Sequence, residues 1–341
     1  MKESEIKIIG KMDDESREEF KRETVAGLDR EVEKILSATK QFELPKNEED
    51  LRIIEKINIW LEEYFKNIGA EEFVKKIKAD QFVILQENDF VKIGHDMFDS
   101  DWSHHHAKMM PGMDIVFVKR LPETEKFAAL VSYLHEAVHI ESRFKLNAFV
   151  SKEGVEDPRG MHRLGYSIKS TKKGKDEKLE NYDYFDGLNE AITQMITLDI
   201  LRQHGQELER DYSITPEEQK NFKFKDGYMG YEYVYMVMLQ KLAENLNQNP
   251  RDYNKKFNKN IFTGDLMFLR DVEKVFGKGS LRVLAFMGSH PPHASDLEMI
   301  KFFEGYFLTE DENERKEIVE KIFSGEEDKG YFEKYKKRAE K

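Results

Sequence analysis

Two histidines and a glutamate near the middle of the chain have the spacing of a metal-binding and water-activating unit. His135 and His139 are four positions apart, and Glu136 follows the first of them. Residues four apart on an α-helix lie about 40° apart around its axis, so both imidazoles can face one metal ion. Glu136 would then lie beside the ion and accept a proton from a water whose pKa zinc lowers to about 7. The motif therefore predicts zinc-dependent hydrolysis of peptides, with Glu136 as the general base.

The segment around this motif has the apolar periodicity of a helix with one buried face, from about residue 125 to about residue 144. The apolar positions that recur at helical spacing are Phe127, Leu130, Val131, Leu134 and Val138. Histidines on such a helix need polar partners, and a metal ion would supply one. The alternative is a pair of core histidines that neighbouring side chains satisfy.

A catalytic zinc site takes three protein ligands and keeps its fourth position open, so a third ligand is required. Ser142 and Lys145 occupy the two places where a longer form of the motif would have Gly and a third His. A second apolar helix is predicted downstream, from about residue 187 to residue 203, and Glu190 begins a polar stripe on it. We therefore predict Glu190 as the third ligand. The polar residues predicted to surround the ligands are Asn189, Thr193 and Gln194.

Together the two motifs resemble those of the gluzincins, thermolysin-like zinc metallopeptidases in which a downstream Asn-Glu-Ala-x-Ser/Thr motif completes His-Glu-x-x-His. The resemblance covers about residues 125–203, under a quarter of the chain. It implies one zinc ion per chain, held by His135, His139 and Glu190, with Glu136 as general base. One position departs from the family, because Gln194 stands where an acidic residue often binds a ligand histidine. A Gln carbonyl can accept the same N–H bond, but without charge.

A hydrogen-bond donor near the oxyanion is also implied, since gluzincins commonly place a Tyr hydroxyl or a His N–H there. Tyr184 is the first candidate, with Tyr182 and Tyr166 as alternatives. All three lie beside a charged run, residues 169–178, that is predicted to be a hairpin tip between two strands. The other interpretation is that they are ordinary half-buried residues of a sheet.

A short strand is predicted upstream of the motif, at about residues 113–119. By resemblance it would be the edge strand beside the cleft, whose free backbone groups bind an extended peptide by β-addition. The residues predicted to bind substrate are Asp114, Ile115, Val116 and Phe117.

The other histidines lie in sequence contexts that indicate metal binding less strongly. His104, His105 and His106 precede the predicted strand and are interpreted as the rim of the cleft or as surface residues. The alternative is a second, weak metal site, whose partners would be His95, Asp96, Asp99 and Asp101. His290 and His293 are explained by a tight turn before a helix.

Composition limits the partners. The formal charge of −12 and the pI of about 5.5 argue against nucleic acid, since no long basic stripe offsets the acidity. The chain has no cysteine, which excludes disulfides and thiolate metal sites and is compatible with the cytoplasm. The sequence has no segment like a signal peptide and no run of about 20 apolar residues, so we expect a cytoplasmic protein without membrane contact.

The overall pattern predicts a predominantly helical α+β protein with a small mixed sheet and a C-terminal helical subdomain, and the resemblance to the gluzincins implies a zincin-like core. The predicted divisions are an N-terminal helical segment at 1–70, a catalytic core at 71–210 and the helical subdomain at 211–341. The favoured function is that of an endopeptidase or oligopeptidase. The alternative is an inactive zinc-binding or regulatory protein on a peptidase fold, although a structural zinc site has no need for Glu136.

Overall fold

The computed structural model describes residues 5–9, 11–151, 154–155, 161–173, 179–221, 230–287 and 296–322. Helices predominate, and two small sheets accompany them. The helices are α1 (Asp14–Thr39), α2 (Glu48–Ile68), α3 (Glu87–Phe98), α4 (Lys126–Glu141), α5 (Asp186–Gln203), α6 (Gly205–Tyr212), α7 (Pro216–Asn221), α8 (Tyr231–Asn245), α9 (Pro250–Thr263), α10 (Phe268–Phe276), α11 (Ser280–Ala285), α12 (Asp296–Leu308) and α13 (Glu312–Ile322). The strands are β1 (Ile6–Ile9), β2 (Phe82–Leu85), β3 (Ala107–Met110), β4 (Ile115–Lys119), β5 (Phe144–Ser151), β6 (Gly154–Val155), β7 (Met161–Leu164), β8 (Ser167–Lys173) and β9 (Leu179–Tyr184). The predicted α+β class is therefore confirmed.

Local capping explains where several helices begin and end. Asn47 and Asp50 bond each other's backbone N–H groups in a capping box at the start of α2. Gly69 ends that helix in the left-handed conformation that glycine adopts without strain. A second capping box, between Thr215 and Glu218, is present at the start of α7. Because such caps involve residues that are close in sequence, the ends of these helices can be predicted without knowledge of the fold.

The smaller sheet has the strand order β2-β4-β3, with β2 parallel and β3 antiparallel to β4. All four residues of β2 and all five of β4 are buried. A strand buried on both faces has a continuous apolar sequence, as these two do. Both edges of β4 are paired, and among the described strands β3 pairs with β4 alone, so its other edge is free of strand pairing.

The larger sheet has the order β1-β5-β7-β8-β9, with the short β6 paired to β5. Its strand β5 begins just after α4, because Ser142 adopts an extended conformation and ends the helix. The expectation of helix to residue 144 was therefore too long. The segment around Tyr166, predicted as a strand, is instead the turn between β7 and β8, in which Gly165 has a φ of 56°. Residues 174–178 of the predicted hairpin tip lie outside the described residues, as do His290 and His293.

The main apolar cluster includes residues from all three predicted segments, such as Ile57, Leu134 and Val234, while buried residues of α1 and α3 belong to two smaller clusters. The boundaries near residues 70 and 210 remain a prediction. Helix α5 lies within this core and is buried on nearly every side, including Thr193 and Thr197 on its polar stripe. Within the described ranges, no helix combines the length and the apolar character that crossing a bilayer requires.

Candidate metal centre

Three potential ligand atoms converge where α4 passes α5. His135 Nε2 lies 3.1 Å from Glu190 Oε2, and His139 Nε2 lies 3.3 Å from the same oxygen. The two histidine Nε2 atoms are 3.2 Å apart. Two helices that are distant in sequence thus bring together the three residues predicted as ligands, and the group could hold a metal ion.

The spacing of these atoms fits a tetrahedral ion. Ligand atoms at about 2.0–2.1 Å from an ion are separated by about 3.3–3.4 Å when the coordination is tetrahedral. The observed separations of 3.1, 3.2 and 3.3 Å are close to this value. Hydrogen bonding alone explains the arrangement less well, because the two facing histidine nitrogens can share at most one proton.

The electrostatics of the cluster keep its carboxylate ionised. Burial on its own raises the pKa of Glu190, but the charge of His139 and the hydrogen bonds with both histidines hold that pKa well below its usual range. Burial on its own lowers the pKa of His139, but the charge and hydrogen bond of Glu190 raise it above its ordinary value. Both pKa shifts favour the charged forms, so an anionic carboxylate lies beside two imidazoles where one bound cation could replace a proton.

The C-terminal end of α4 is anchored, which fixes the position of His139. Lys75 donates its backbone N–H to both carboxylate oxygens of Glu141 and its Nζ to the carbonyl of Ile140. Ser142 donates its hydroxyl to the carbonyl of Val138. Burial raises the pKa of the Glu141 carboxyl to about 8, despite the bond from Lys75. These contacts lie away from the ligand cluster and hold the helix that carries it.

Glu136 lies beside the ligands and is fixed by the smaller sheet. Its Oε2 accepts a hydrogen bond of 2.8 Å from the backbone N–H of Met109 in β3. The side chain is buried, and it lines the same cavity as His135, His139 and Glu190. A carboxylate held at this place can exchange a proton with a molecule bound at the ligand cluster.

The cavity that contains the ligands has a volume of about 380 Å³ and follows the free edge of β3. Its walls come from β3, α4, α5 and the β7–β8 hairpin. The residues that line it near β3 are His106, Ala107, Lys108, Met109, Met110 and Pro111. Its size is that of a cleft for a small molecule or a short peptide segment.

The substrate-binding strand predicted from sequence was the wrong one. Asp114, Ile115, Val116 and Phe117 belong to β4 or directly precede it, and β4 is paired on both sides. A strand without a free edge cannot add a peptide. The edge that faces the cavity is β3, a strand that was not predicted from the sequence. Its four residues, Ala107–Met110, carry no long alternating pattern that would have identified it.

The polar residues around the ligands have different contacts from those predicted. Asn189 accepts the backbone N–H of Tyr166 through Oδ1, and so ties the start of α5 to the β7–β8 turn. Gln194 lines the cavity, but its Nε2 is buried without a hydrogen-bond partner and it bonds neither ligand histidine. His139 Nδ1 likewise has no hydrogen-bond partner, and the same holds for Thr193 Oγ1. The prediction that Gln194 orients a ligand histidine is therefore not met.

Gly165 should be indispensable to the turn that Asn189 holds. A Cβ at this residue would clash with Asn189 Oδ1 and lie 2.6 Å from Ile261 Cγ1, and the φ of 56° disfavours any side chain. We expect Gly165→Ala to lower the free energy of unfolding by about 2–5 kcal/mol, from backbone strain and overpacking together. Gly27→Ala is the matched control, because its Cβ within α1 would make only an ordinary contact of 3.9 Å with Arg30 Nη2. Chemical denaturation should show that control equal to or up to about 1 kcal/mol more stable than the wild type, and equal stability of the two variants would contradict the argument.

The structure does not bring Tyr184 to the cavity. Tyr184 pairs with Ile168, which also pairs with Arg163, so these side chains share one face of the larger sheet. The cavity is lined from the opposite face, by His162 and Lys169 among others. The predicted oxyanion role of Tyr184 is therefore contradicted by its position. Of the alternatives, Tyr166 is buried and donates its hydroxyl to the carbonyl of Phe257, and the side chain of Tyr182 lies outside the described part.

The histidines before β3 are divided between surface and cavity. His104 is exposed, whereas His105 and His106 line the cavity. His95 Nε2 lies 3.9 Å from Asp101 Oδ1, but no second group of three ligands converges among the described residues. The second metal site considered from sequence therefore lacks its geometry.

No protein-family model, no curated protein and no solved structure matches the chain. The geometry of this centre is therefore the main indication of function.

Proposed function

We propose that the chain is a zinc-dependent peptidase with a zincin-like core, in which His135, His139 and Glu190 hold one zinc ion. The observation that carries the proposal is the convergence of these three ligand atoms at tetrahedral spacing in the cavity that also contains Glu136. Two imidazoles and one carboxylate, with a further position open to the cavity, form a donor set typical of catalytic zinc.

The chemistry assigns one role to each side chain. Zinc would supply a Lewis acid that polarises the scissile carbonyl and lowers the pKa of water to about 7. Glu136 takes the proton of the attacking water and returns it to the leaving amine, so that no covalent intermediate is required. The Met109 N–H holds Glu136 in place for both transfers. His105 or His106 in the cavity wall replaces Tyr184 as the proposed oxyanion donor.

The free edge of β3 is the proposed peptide-binding strand. The carbonyl of His106 accepts the N–H of Lys119, which shows that even-numbered residues of this strand bond to β4. In an antiparallel pair the intervening residues direct their N–H and C=O groups outward. Ala107 therefore directs its N–H and C=O to the cavity, and Met109 directs its C=O there while its N–H binds Glu136. An extended peptide can pair with these groups.

Replacing Ala107 by Pro should weaken substrate binding without disturbing the sheet. Proline removes one outward N–H, and an edge strand tolerates it because that group has no partner in β4. We expect the KM for peptides to rise about 2- to 10-fold, as the loss of one hydrogen bond requires, with little change in kcat. Steady-state kinetics on a peptide of eight or more residues measure both constants. A variant with unaltered KM would show that substrate does not pair at this residue.

A catalytically inactive zinc-binding or regulatory protein is the second candidate. Its support is the missing outer bond to the ligands, since catalytic zinc histidines usually donate their second ring nitrogen and His139 Nδ1 has no partner. Glu136 speaks against this candidate, because a purely structural site needs no base.

Metal analysis with a peptide library tests the proposal. The purified, tag-free protein should contain one zinc per chain and cleave members of a random peptide library, and chelation should abolish the cleavage. A folded protein that contains no zinc and takes up none would refute the proposal. A protein that binds one zinc but cleaves no peptide at any concentration tested would favour the second candidate.

A further inference from the structure

Four cationic side chains gather at the face of the larger sheet that points away from the cavity. Lys145 and Arg163 are directly opposite each other on β5 and β7, so they share a face. Lys7 of β1 pairs with Asn147, which is two residues after Lys145 on β5, so Lys7 lies on that face as well. Arg143 precedes β5, and its side chain approaches Gly264 beside that of Arg163. We call these four residues the basic cluster.

Among the residues that the structure describes, none of these four cations has an acidic partner. The ion pairs of the described residues include none of them. Arg163 is only 9 % exposed, so water cannot solvate its guanidinium fully. Its Nε is buried without a hydrogen-bond partner. The Nε of Arg143 is in the same state. Buried cations are normally paired, so this arrangement needs a compensating charge.

The neighbouring helix accounts for part of the cluster. Arg163 Nη2 donates 2.8 Å to the carbonyl of Gly264, the residue that ends α9, where the helix dipole favours a cation. Lys145 and Lys7 have no such contact. Burial lowers the pKa of Lys145, and the charges of Arg163, Arg143 and Lys7 lower it further. The four positive charges therefore repel one another, and the C-terminal end of α9 offsets only part of this repulsion.

We propose that the basic cluster is a binding site for a small phosphoryl dianion, at which Lys7, Arg143, Lys145 and Arg163 supply the charge. Two guanidinium groups match the oxygens of a tetrahedral oxyanion, and ammonium groups add point charge. Lys7 is exposed and both Arg143 and Lys145 are partly exposed, so an anion can enter from solvent. The chain as a whole carries a formal charge of −12, which makes a local excess of cations a specific feature rather than an effect of composition.

The site would lie directly behind the proposed active centre. Arg163 stands on β7 between His162 and Leu164, and both of these neighbours line the cavity from the opposite face. An anion bound to Arg163 would therefore fix the strand that forms one cavity wall. Anion binding at this site does not depend on zinc or on catalysis, because the basic cluster contains no residue of the metal centre.

Thermal unfolding of the full chain tests this site. Inorganic phosphate and chloride are compared at equal ionic strength and pH, which separates binding from screening. We expect 20 mM phosphate to raise the midpoint of the wild type by about 3 °C over chloride, given a millimolar dissociation constant. Lys145→Gln should lose at least two thirds of this rise. In chloride alone the same variant should be at least as stable as the wild type, because it removes a repulsive charge.

Lys21→Gln is the matched control, since Lys21 is a lysine of α1 that is paired with Glu18 and lies outside the basic cluster. It should keep the full effect of phosphate. An equal rise in phosphate and chloride, or an undiminished rise in Lys145→Gln, would overturn the proposal. A hexaglutamate peptide that stabilises the wild type where phosphate does not would also overturn it, in favour of an acidic protein segment.

Discussion

Glu136→Gln is expected to lower the rate of peptide hydrolysis by about 10²- to 10⁴-fold, the contribution of a positioned general base, while zinc content and fold stay unchanged. The substitution keeps the shape of the side chain, and its amide oxygen can still accept the Met109 N–H that Glu136 binds at 2.8 Å. An amide cannot take a proton from water near neutral pH. The loss should therefore appear in kcat, and KM should change little.

Glu141→Gln provides a control on the same helix. Glu141 is buried like Glu136, but it bonds the backbone of Lys75 and does not line the cavity. Because its pKa is raised to about 8, much of it is already neutral at pH 7, and the variant should keep near-wild-type activity. Cleavage of a fluorogenic peptide, elemental zinc analysis and circular dichroism compare the three proteins. If Glu136→Gln keeps zinc, fold and more than a tenth of the activity, the base has been assigned to the wrong residue.

The parts of the centre that could be predicted are those encoded within single helices. The spacing of His135 and His139 fixes their common face on any helix, and the polar stripe on α5 identified Glu190 because polar residues on an otherwise apolar helix require a reason. Their convergence across two helices then follows from packing the apolar faces of α4 and α5 against each other.

The parts that could not be predicted depend on pairing between distant strands. The apolar sequence of β4 indicated a strand correctly, but it could not indicate which neighbours the strand has, and two partners make β4 central. The face on which Tyr184 lies is likewise set by its register with Ile168, and a shift of one residue would reverse it. The basic cluster could not be predicted for the same reason. Its residues lie on β1, β5 and β7 or directly before β5, and only the folded sheet brings these strands side by side.

Glu190→Ala is expected to weaken zinc binding by at least about 10²-fold, because loss of an outer-shell partner alone costs 10- to 100-fold and a direct ligand should contribute more. The variant also removes the charge that raises the pKa of His139, so the two histidines lose their anionic partner. Competition with a chromophoric chelator measures the affinity, and circular dichroism shows whether the fold persists.

Asp199→Asn is the control for Glu190→Ala, since Asp199 is a half-buried acid on α5 whose partner is Arg202 rather than the metal centre. It should bind zinc like the wild type. Unchanged zinc affinity in a folded Glu190→Ala protein would contradict the third-ligand assignment, even though the side chain lies 3.1 Å from His135. If instead Glu190→Ala loses zinc while Glu136→Gln keeps zinc and loses only turnover, the two carboxylates have separate roles. That separation would exclude the purely structural zinc site, because such a site has no carboxylate whose loss affects catalysis alone.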